Sequence, residues 1–437
     1  MRKKDSGLTV PSGRWTRLAR LGLMASSVAG GMLAEGARQL AKGERPKLDA
    51  MLLTPANARR VADELSRLRG AAMKVGQLLS MDAGDLIPPV LTEVLARLRS
   101  DAQPMPMSQL VKILENEWGN SWSDHFERFS FVPSAAASIG QVHEAITRDG
   151  LRLAIKVQYP GVRESIDSDV NNVATLLRIS GLLPETLDIQ EILEEAKRQL
   201  HAEADYLAEG QWLKAYASHL GGFSPFLLPQ LYPELATKNI LAMSWVEGVP
   251  IESLGTASQA LRDRLATELF ELVLKELFEF QVIQSDPNFA NYRFNLATQQ
   301  LVLLDFGATR EIPISFSQNY RCLMQAAIRS DRNAMYEAAR SIGYFNNAMT
   351  PQQIDIVMDL FAMACEPICH TGAYDFGASS LPRRMRDAGM ALALDRDFWH
   401  TPPIDALFLH RKLAGTYLLS ARLKARVDVG KLAQTYC

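Results

Sequence analysis

With 437 residues, 47% of them hydrophobic and 22% charged, the chain is globular in composition and long enough for two or three packed units. A formal net charge of -2, with no run of Lys and Arg interleaved with aromatics, excludes a general nucleic-acid-binding surface. Four scattered cysteines exclude a disulfide framework and fit reduced thiols on a cytoplasmic face; Cys365 and Cys369, followed by His370, read as two buried helical thiols rather than a metal site.

Residues 1–50 read as a leader. Arg2, Lys3, Lys4, Arg14, Arg17 and Arg20 precede an uncharged stretch, 21–34, that is shorter than the roughly 18 residues of a bilayer span. Gly22, Ser26, Gly30 and Ala34 recur every four positions there and make a small-residue stripe of the kind that lets helices approach closely. The leader is either a flexible segment with a short helix or a membrane-associating helix. Residues 51–125 form a helical extension. Val61, Leu65, Leu68, Ala72, Val75 and Leu79 follow helical spacing, Pro88 and Pro89 interrupt it, and Leu91, Val94, Leu95 and Leu98 resume it. A further helix with apolar Leu110, Ile113, Leu114 and Trp118 begins after Pro106, with Ser108 as its cap.

From residue 126 the texture becomes strand-like. Strands are expected at 126–132 and 140–146, then at 151–159 after a hairpin signal at Asp149-Gly150. Helical periodicity fills 162–183 and 189–216, and strands return at 227–231 and 239–246. Residues 248–437 are mainly helical, broken by a polar loop at 284–291 and a strand at 301–304. No internal repeat or low-complexity tract is present. The fold expected is α+β: a β-rich small lobe with inserted helices over 126–247, a helical large lobe over 248–437, and added helices in front.

Four segments carry chemistry. An apolar strand delivers Asp305 into the turn Asp305-Phe306-Gly307, and a carboxylate fixed at a strand end is a hard ligand for magnesium bridging phosphates. Upstream, Asn291 stands five positions after Asp286, the spacing of a kinase catalytic loop, in which the Asp orients a nucleophile and the Asn completes the metal shell. Lys156, in Leu153-Ala-Ile-Lys156, matches the strand lysine that holds nucleotide phosphates. It follows a loop, Ala135, Ala136, Ala137, Ser138, Ile139, Gly140, Gln141, at the place where a nucleotide is covered, and acidic residues on the helix from Glu203 offer it partners. Each segment alone has a plain structural reading as a turn, a polar loop or a solvated lysine. Their agreement in order and spacing points to nucleotide binding.

Three further features carry a resemblance. Lys74-Val-Gly76-Gln77 is a Lys-x-Gly-Gln motif on the helix before the small lobe, alanines replace the glycines of the covering loop, and Glu203-Ala-Asp205 is a Glu-x-Asp motif followed by Glu209. From about residue 54 onward the chain resembles the UbiB family of atypical kinase-like proteins, which includes the ubiquinone-biosynthesis kinases of bacteria and mitochondria. The resemblance implies a two-lobe atypical protein-kinase-like fold that uses ATP, or ADP, with magnesium. By it, Lys156 and Glu209 form the small-lobe ion pair, Asp286 is catalytic, and Asn291 and Asp305 hold magnesium. Residues 135–138 and Gln141 line the nucleotide, and the alanines alter nucleotide preference and restrain autophosphorylation. Lys74, Gly76 and Gln77 lie across the region where a protein substrate docks, regulated with Glu203, which meets Lys74, and Asp205. The pathway implied is ubiquinone biosynthesis, with its enzymes and a lipid or quinone precursor as partners, at the inner face of a membrane.

The residues add an argument on substrate. No Ala-Pro-Glu follows Asp305-Phe306-Gly307, and a helix is expected within a few residues, so no long segment presents a peptide. That favours an ATPase or small-molecule kinase over a protein kinase, and retention of all the metal-binding positions argues against a nucleotide-gated scaffold. Thr309 reads as a buried cap, His143 as a strand residue, and Phe270, Phe278 and Phe280 as core. Asp167 and Asp169 fall on different helical faces.

Overall fold

The computed structural model describes residues 65, 68–82, 104–179, 189–221, 225–286, 288–347, 349–393 and 402–437. The leader with its small-residue stripe and the helix expected at 91–98 lie outside the described residues. The chain divides into two compact units, Met1–Gln211 with Gln230–Trp245, and Trp212–Pro229 with Val246–Cys437.

In the first unit, Arg69–Asp82 (α1) buries Ala72, Val75 and Leu78 along one stripe, as their spacing requires. Met107–Trp118 (α2) buries Leu110, Ile113 and Leu114. Its N-cap is Pro106 and has no side-chain cap; Ser108, expected in that role, sits exposed inside the first turn. Proline lacks an N–H and its φ of -56° already sets the entry, so the helix starts two residues earlier.

The sheet of this unit holds Phe126–Phe129 (β1), Ala135–Ala136 (β2), Gly140–Thr147 (β3) and Arg152–Gln158 (β4). The β3–β4 hairpin turns at Gly150, whose φ of +82° explains the glycine. Val162–Ile179 (α3) follows. The helical pattern over 189–216 proves to be two helices, Gln190–Glu203 (α4) and Tyr206–Leu220 (α5). The break falls inside the Glu-x-Asp motif, because Asp205 Oδ1 accepts the Ala208 amide at 3.1 Å and so starts a new helix. Phe226–Leu227 (β5) belongs to the second unit, and Ile240–Ser244 (β6) completes the first sheet beside β4, in the order β1-β3-β4-β6 with β2 on β3. All its pairings are antiparallel.

Alternation gives this sheet two different faces. Ala145, Leu153, Ile155 and Val157 join Leu110, Leu114, Trp122 and Phe126 in one apolar cluster. Val142, Lys156 and Leu241, directly opposed across β3, β4 and β6, share the other face.

The second unit contains Val249–Pro250 (β7), then Gln259–Lys275 (α6), capped by Ser258 Oγ on the Leu261 amide. This helix widens into a π turn, Glu276–Phe280, closed by Gln281 at a φ of +56°. Val282–Gln284 (β8), Tyr292–Asn295 (β9), Gln300–Leu303 (β10) and Thr309–Glu311 (β11) follow. The sheet order is β5-β10-β9-β7, and β8 pairs with β11. Helices Ile314–Ile328 (α7), Arg332–Ile342 (α8), Pro351–Ala364 (α9), Glu366–Cys369 (α10), Leu381–Ala393 (α11) and Ile404–Arg422 (α12) build the rest, around Val273, Ile283, Phe316, Leu323, Met358 and Leu409.

Two expectations of burial need correcting. Cys369 is exposed at the end of α10, where the chain leaves the helix, and Cys365 is only partly covered. Thr309 is buried but is no cap, because it lies in β11 opposite Gln284. Phe270 and Phe278 are core residues, while Phe280 is half-buried and stacks on His219.

Candidate functional site

In the first unit the strand lysine is a strand lysine. Lys156 lies on β4 opposite Val142, and its Nζ donates to both carboxylate oxygens of Glu209 at 2.9 Å. Both side chains are buried, and the ammonium stands 5.0 Å from the Tyr206 ring centroid. An ammonium held this way is fixed in direction as well as in charge.

The alanine segment is a short strand that runs into a turn. Ala135 and Ala136 pair with Val142 and Gln141, and the Ala137 amide donates to the Gly140 carbonyl at 2.9 Å, closing a tight turn. Gly140 is required where it stands, since a Cβ there would run into the Val157 carbonyl oxygen. Ser138 faces neither strand: its Oγ donates to Glu203 Oε2 at 2.6 Å, while Glu203 Oε1 takes the Lys74 ammonium. Lys74 and Gly76 are buried in α1. Gly70, on the same helix, lies so close to Ile139 and the Ser138 carbonyl that a Cβ would stand 2.9 Å from each. The Lys-x-Gly-Gln helix thus touches the alanine turn and the Glu-x-Asp motif through one carboxylate. Asp205 is directed elsewhere, to the Ala208 amide and to Arg163 at 3.3 Å.

Gln141 does not join this group. Strand alternation puts it on the face opposite Lys156, where its Oε1 accepts the Met105 amide at 3.1 Å. Its neighbour on that face, His143, is buried with Nδ1 on the Ser130 carbonyl, and burial lowers its pKa. Asp167 meets His201 and Asp169 meets Ser165.

In the second unit, β8 delivers Asp286 and β10 delivers Asp305. The Ser285 hydroxyl and amide both donate to the Ala308 carbonyl, tying the two segments together. Asn291 Nδ2 donates to Asp286 Oδ2 at 3.3 Å, and the Leu304 amide donates to the Asn291 carbonyl at 3.1 Å. Asp305 Oδ1 accepts the Gly307 amide at 3.0 Å, which forms the turn. Asp286, Asn291 and Asp305 are all half-buried. With the Asn291 nitrogen on Asp286, its side-chain carbonyl is directed away from that carboxylate. Among the described residues no group of three His, Cys, Asp or Glu side chains could hold a metal.

Sequence reasoning missed a buried polar group beside these residues. Glu276, Lys412, Tyr216 and Tyr292 are joined by hydrogen bonds of 2.9–3.2 Å. The available signal was one Lys and one Glu placed within otherwise apolar helical stripes.

A model of the ABC1 atypical kinase-like domain matches residues 97–339. Atypical kinase COQ8B, mitochondrial, of Rattus norvegicus is 37% identical over 97% of this chain and 80% of its own length. The chain belongs to the UbiB family of atypical kinases. A second member, atypical kinase COQ8, mitochondrial, of Saccharomyces cerevisiae, is 36% identical over 98% of this chain and 86% of its own. The kinase-like fold of the family also appears in a solved structure, that of Rv3197 with erythromycin from Mycobacterium tuberculosis. It has a TM-score of 0.59 at 23% identity and covers 94% of this chain and 98% of that one.

Proposed function

We propose that the protein is a magnesium-dependent ATPase or small-molecule kinase that supports ubiquinone biosynthesis at a membrane surface. The observation that carries the reading is the buried Lys156–Glu209 ion pair, which holds a fixed ammonium for nucleotide phosphates. Asn291 and Asp305 would hold magnesium, which when bound neutralises phosphate charge. Asp286 orients a water or a substrate hydroxyl, and its own position is steadied by Asn291. Phosphoryl transfer asks for positioning and electrostatics more than covalent chemistry, and these are the groups that provide them.

The segment after Asp305 supports a small acceptor. It returns at once as β11 against β8 and enters α7 at Ile314, leaving no extended platform for a peptide. Ser138 and the alanines contact the nucleotide, and Lys74, Gly76, Gln77 and Glu203 regulate access. Among the described residues no helix is long and apolar enough to cross a membrane.

The test is phosphate release from ATP by the full chain with magnesium, with and without anionic liposomes and a phenolic mimic of a quinone precursor. Turnover that rises with liposomes and disappears in Lys156→Ala and Asp305→Asn supports the reading. Nucleotide binding without turnover under every condition would sink it and leave a nucleotide-gated scaffold. Phosphorylation of a partner in trans that depends on Asp286 would make it a protein kinase.

A further inference from the structure

We propose that Glu276 is a positioning residue which, with Lys412, forms a buried ionic hub that sets the conformation of both the Asp286–Asn291 loop and the Asp305-Phe306-Gly307 turn. The inference rests on the reading of Asp286, Asn291 and Asp305 as the catalytic and metal-holding groups.

Glu276 opens the π turn that ends α6, and the wider turn carries its carboxylate to a fully buried place. Elements distant in sequence converge on it. Tyr216, on α5, donates its hydroxyl to Oε1 at 2.9 Å, and the same ring packs on Phe306 with centroids 4.9 Å apart. Lys412, on α12, donates to Oε1 at 3.1 Å and to the Tyr292 hydroxyl at 3.2 Å. Tyr292 follows Asn291 directly and pairs with Leu303, which leads into Asp305. One carboxylate therefore reaches the Phe306 turn through Tyr216 and the foot of the Asn291 loop through Lys412.

A buried ion pair is a weak stabiliser, because desolvation offsets most of its attraction and an apolar pair of equal volume does as well. What this pair adds is direction. Burial raises the Glu276 carboxyl, against which Lys412 and Tyr216 pull it down. Burial lowers the Lys412 ammonium, and Glu276 and then Tyr292 bring it above its ordinary value.

The test compares the full chain with Glu276→Gln/Lys412→Met, a double variant that leaves no unpaired buried charge, by amide hydrogen exchange without nucleotide. The amides of Asn291, Leu304 and Gly307 should exchange about tenfold faster, while those of β3 and β4 stay unchanged. Magnesium needed for half-maximal ADP binding should rise about tenfold, with metal-free ADP affinity unaltered. Exchange at the three amides within about twofold of wild type overturns the proposal and leaves an ordinary packed pair. If the double variant fails to fold, Tyr216→Phe decides: it keeps the ring on Phe306, and faster exchange confined to Gly307 supports the hub, whereas no change there overturns it. The exchange arm uses no nucleotide, so a chain that bound no ATP would end the ATPase reading without touching this one.

Discussion

Ser138 Oγ donates to Glu203 Oε2 at 2.6 Å, on the carboxylate whose other oxygen holds the Lys74 ammonium. The alanine turn and the Lys-x-Gly-Gln helix are thereby fastened to the same side chain. Lys74 is almost fully buried, so removing the Glu203 carboxylate takes away the charge it pairs with. Glu203→Ala should cost about 3–5 kcal/mol, read as a lowered urea midpoint. The double variant Lys74→Met/Glu203→Gln should be nearer wild type than either single change. A double variant as unstable as the sum of the singles would show that the pair has no mutual dependence.

Gly70 offers a steric version of the same contact. A methyl there would stand 2.9 Å from Ile139 Cγ2 and 2.9 Å from the Ser138 carbonyl oxygen. The side chain can shift, but the carbonyl is backbone and can yield only if α1 moves off the turn. Overpacking of this kind costs about 1–3 kcal/mol, against about 1 kcal/mol that alanine gains over glycine in a helix. Gly70→Ala should therefore lose stability on balance and alter the Michaelis constant for ATP. A stabilised variant with unchanged ATP dependence would mean that the helix is free to slide.

Lys156→Met removes the ammonium proposed to meet nucleotide phosphates and takes from the buried Glu209 carboxylate the charge it pairs with. Nucleotide affinity should fall at least about tenfold, and the fold should lose about 3–5 kcal/mol. Lys156→Arg keeps the charge and its planar fork can still pair with both Glu209 oxygens, but the larger, flat group does not reproduce a compact ammonium aimed at phosphate, so it should restore stability better than affinity. Calorimetric titration with ADP, beside thermal unfolding, separates the two effects.

Asp305→Asn should act on metal rather than on nucleotide. Its Oδ1 anchors the Gly307 amide, and an amide oxygen at that place can still accept this bond while losing the negative charge magnesium needs. ADP affinity without magnesium should be nearly unchanged, the gain on adding magnesium should vanish, and turnover should drop by about a hundredfold or more. Equal losses with and without magnesium would move Asp305 out of the metal shell.

Much of this was legible from residue order, and each failure has its own physical cause. Lys156, Asp286, Asn291 and Asp305 were named from local spacing, and each lies on the strand, loop or turn that spacing implied. Glu203 was expected to meet Lys74, and it does. Gln141 was misplaced because adjacency in sequence was taken as adjacency in space, whereas strand alternation turns it to the far face from Lys156. The break at Ala204–Asp205 was hidden because helical periodicity continues through it, and only the Asp205 cap on Ala208 reveals a second helix. Glu276 and Lys412 are far apart in sequence, and no local pattern records that long-range packing brings them together.

His410 gives a pH test independent of catalysis. On α12 its Nε2 lies 2.7 Å from the Tyr344 hydroxyl and 3.0 Å from the Tyr320 hydroxyl, and burial lowers its pKa to about 4. The unfolded imidazole titrates near 6.5, so between pH 6.5 and 4 the unfolded chain binds a proton that the folded chain refuses. Stability attached to this residue is therefore complete above pH 6.5 and falls as the pH drops through that window, by at most about 3 kcal/mol. His143, also lowered by burial, contributes with the same sign. Urea unfolding at pH 7.0, 6.0 and 5.0 should show a shallower loss for His410→Gln than for wild type, since glutamine can still meet a tyrosine hydroxyl but cannot take the proton. Parallel slopes in the two proteins would assign the acid sensitivity to other groups.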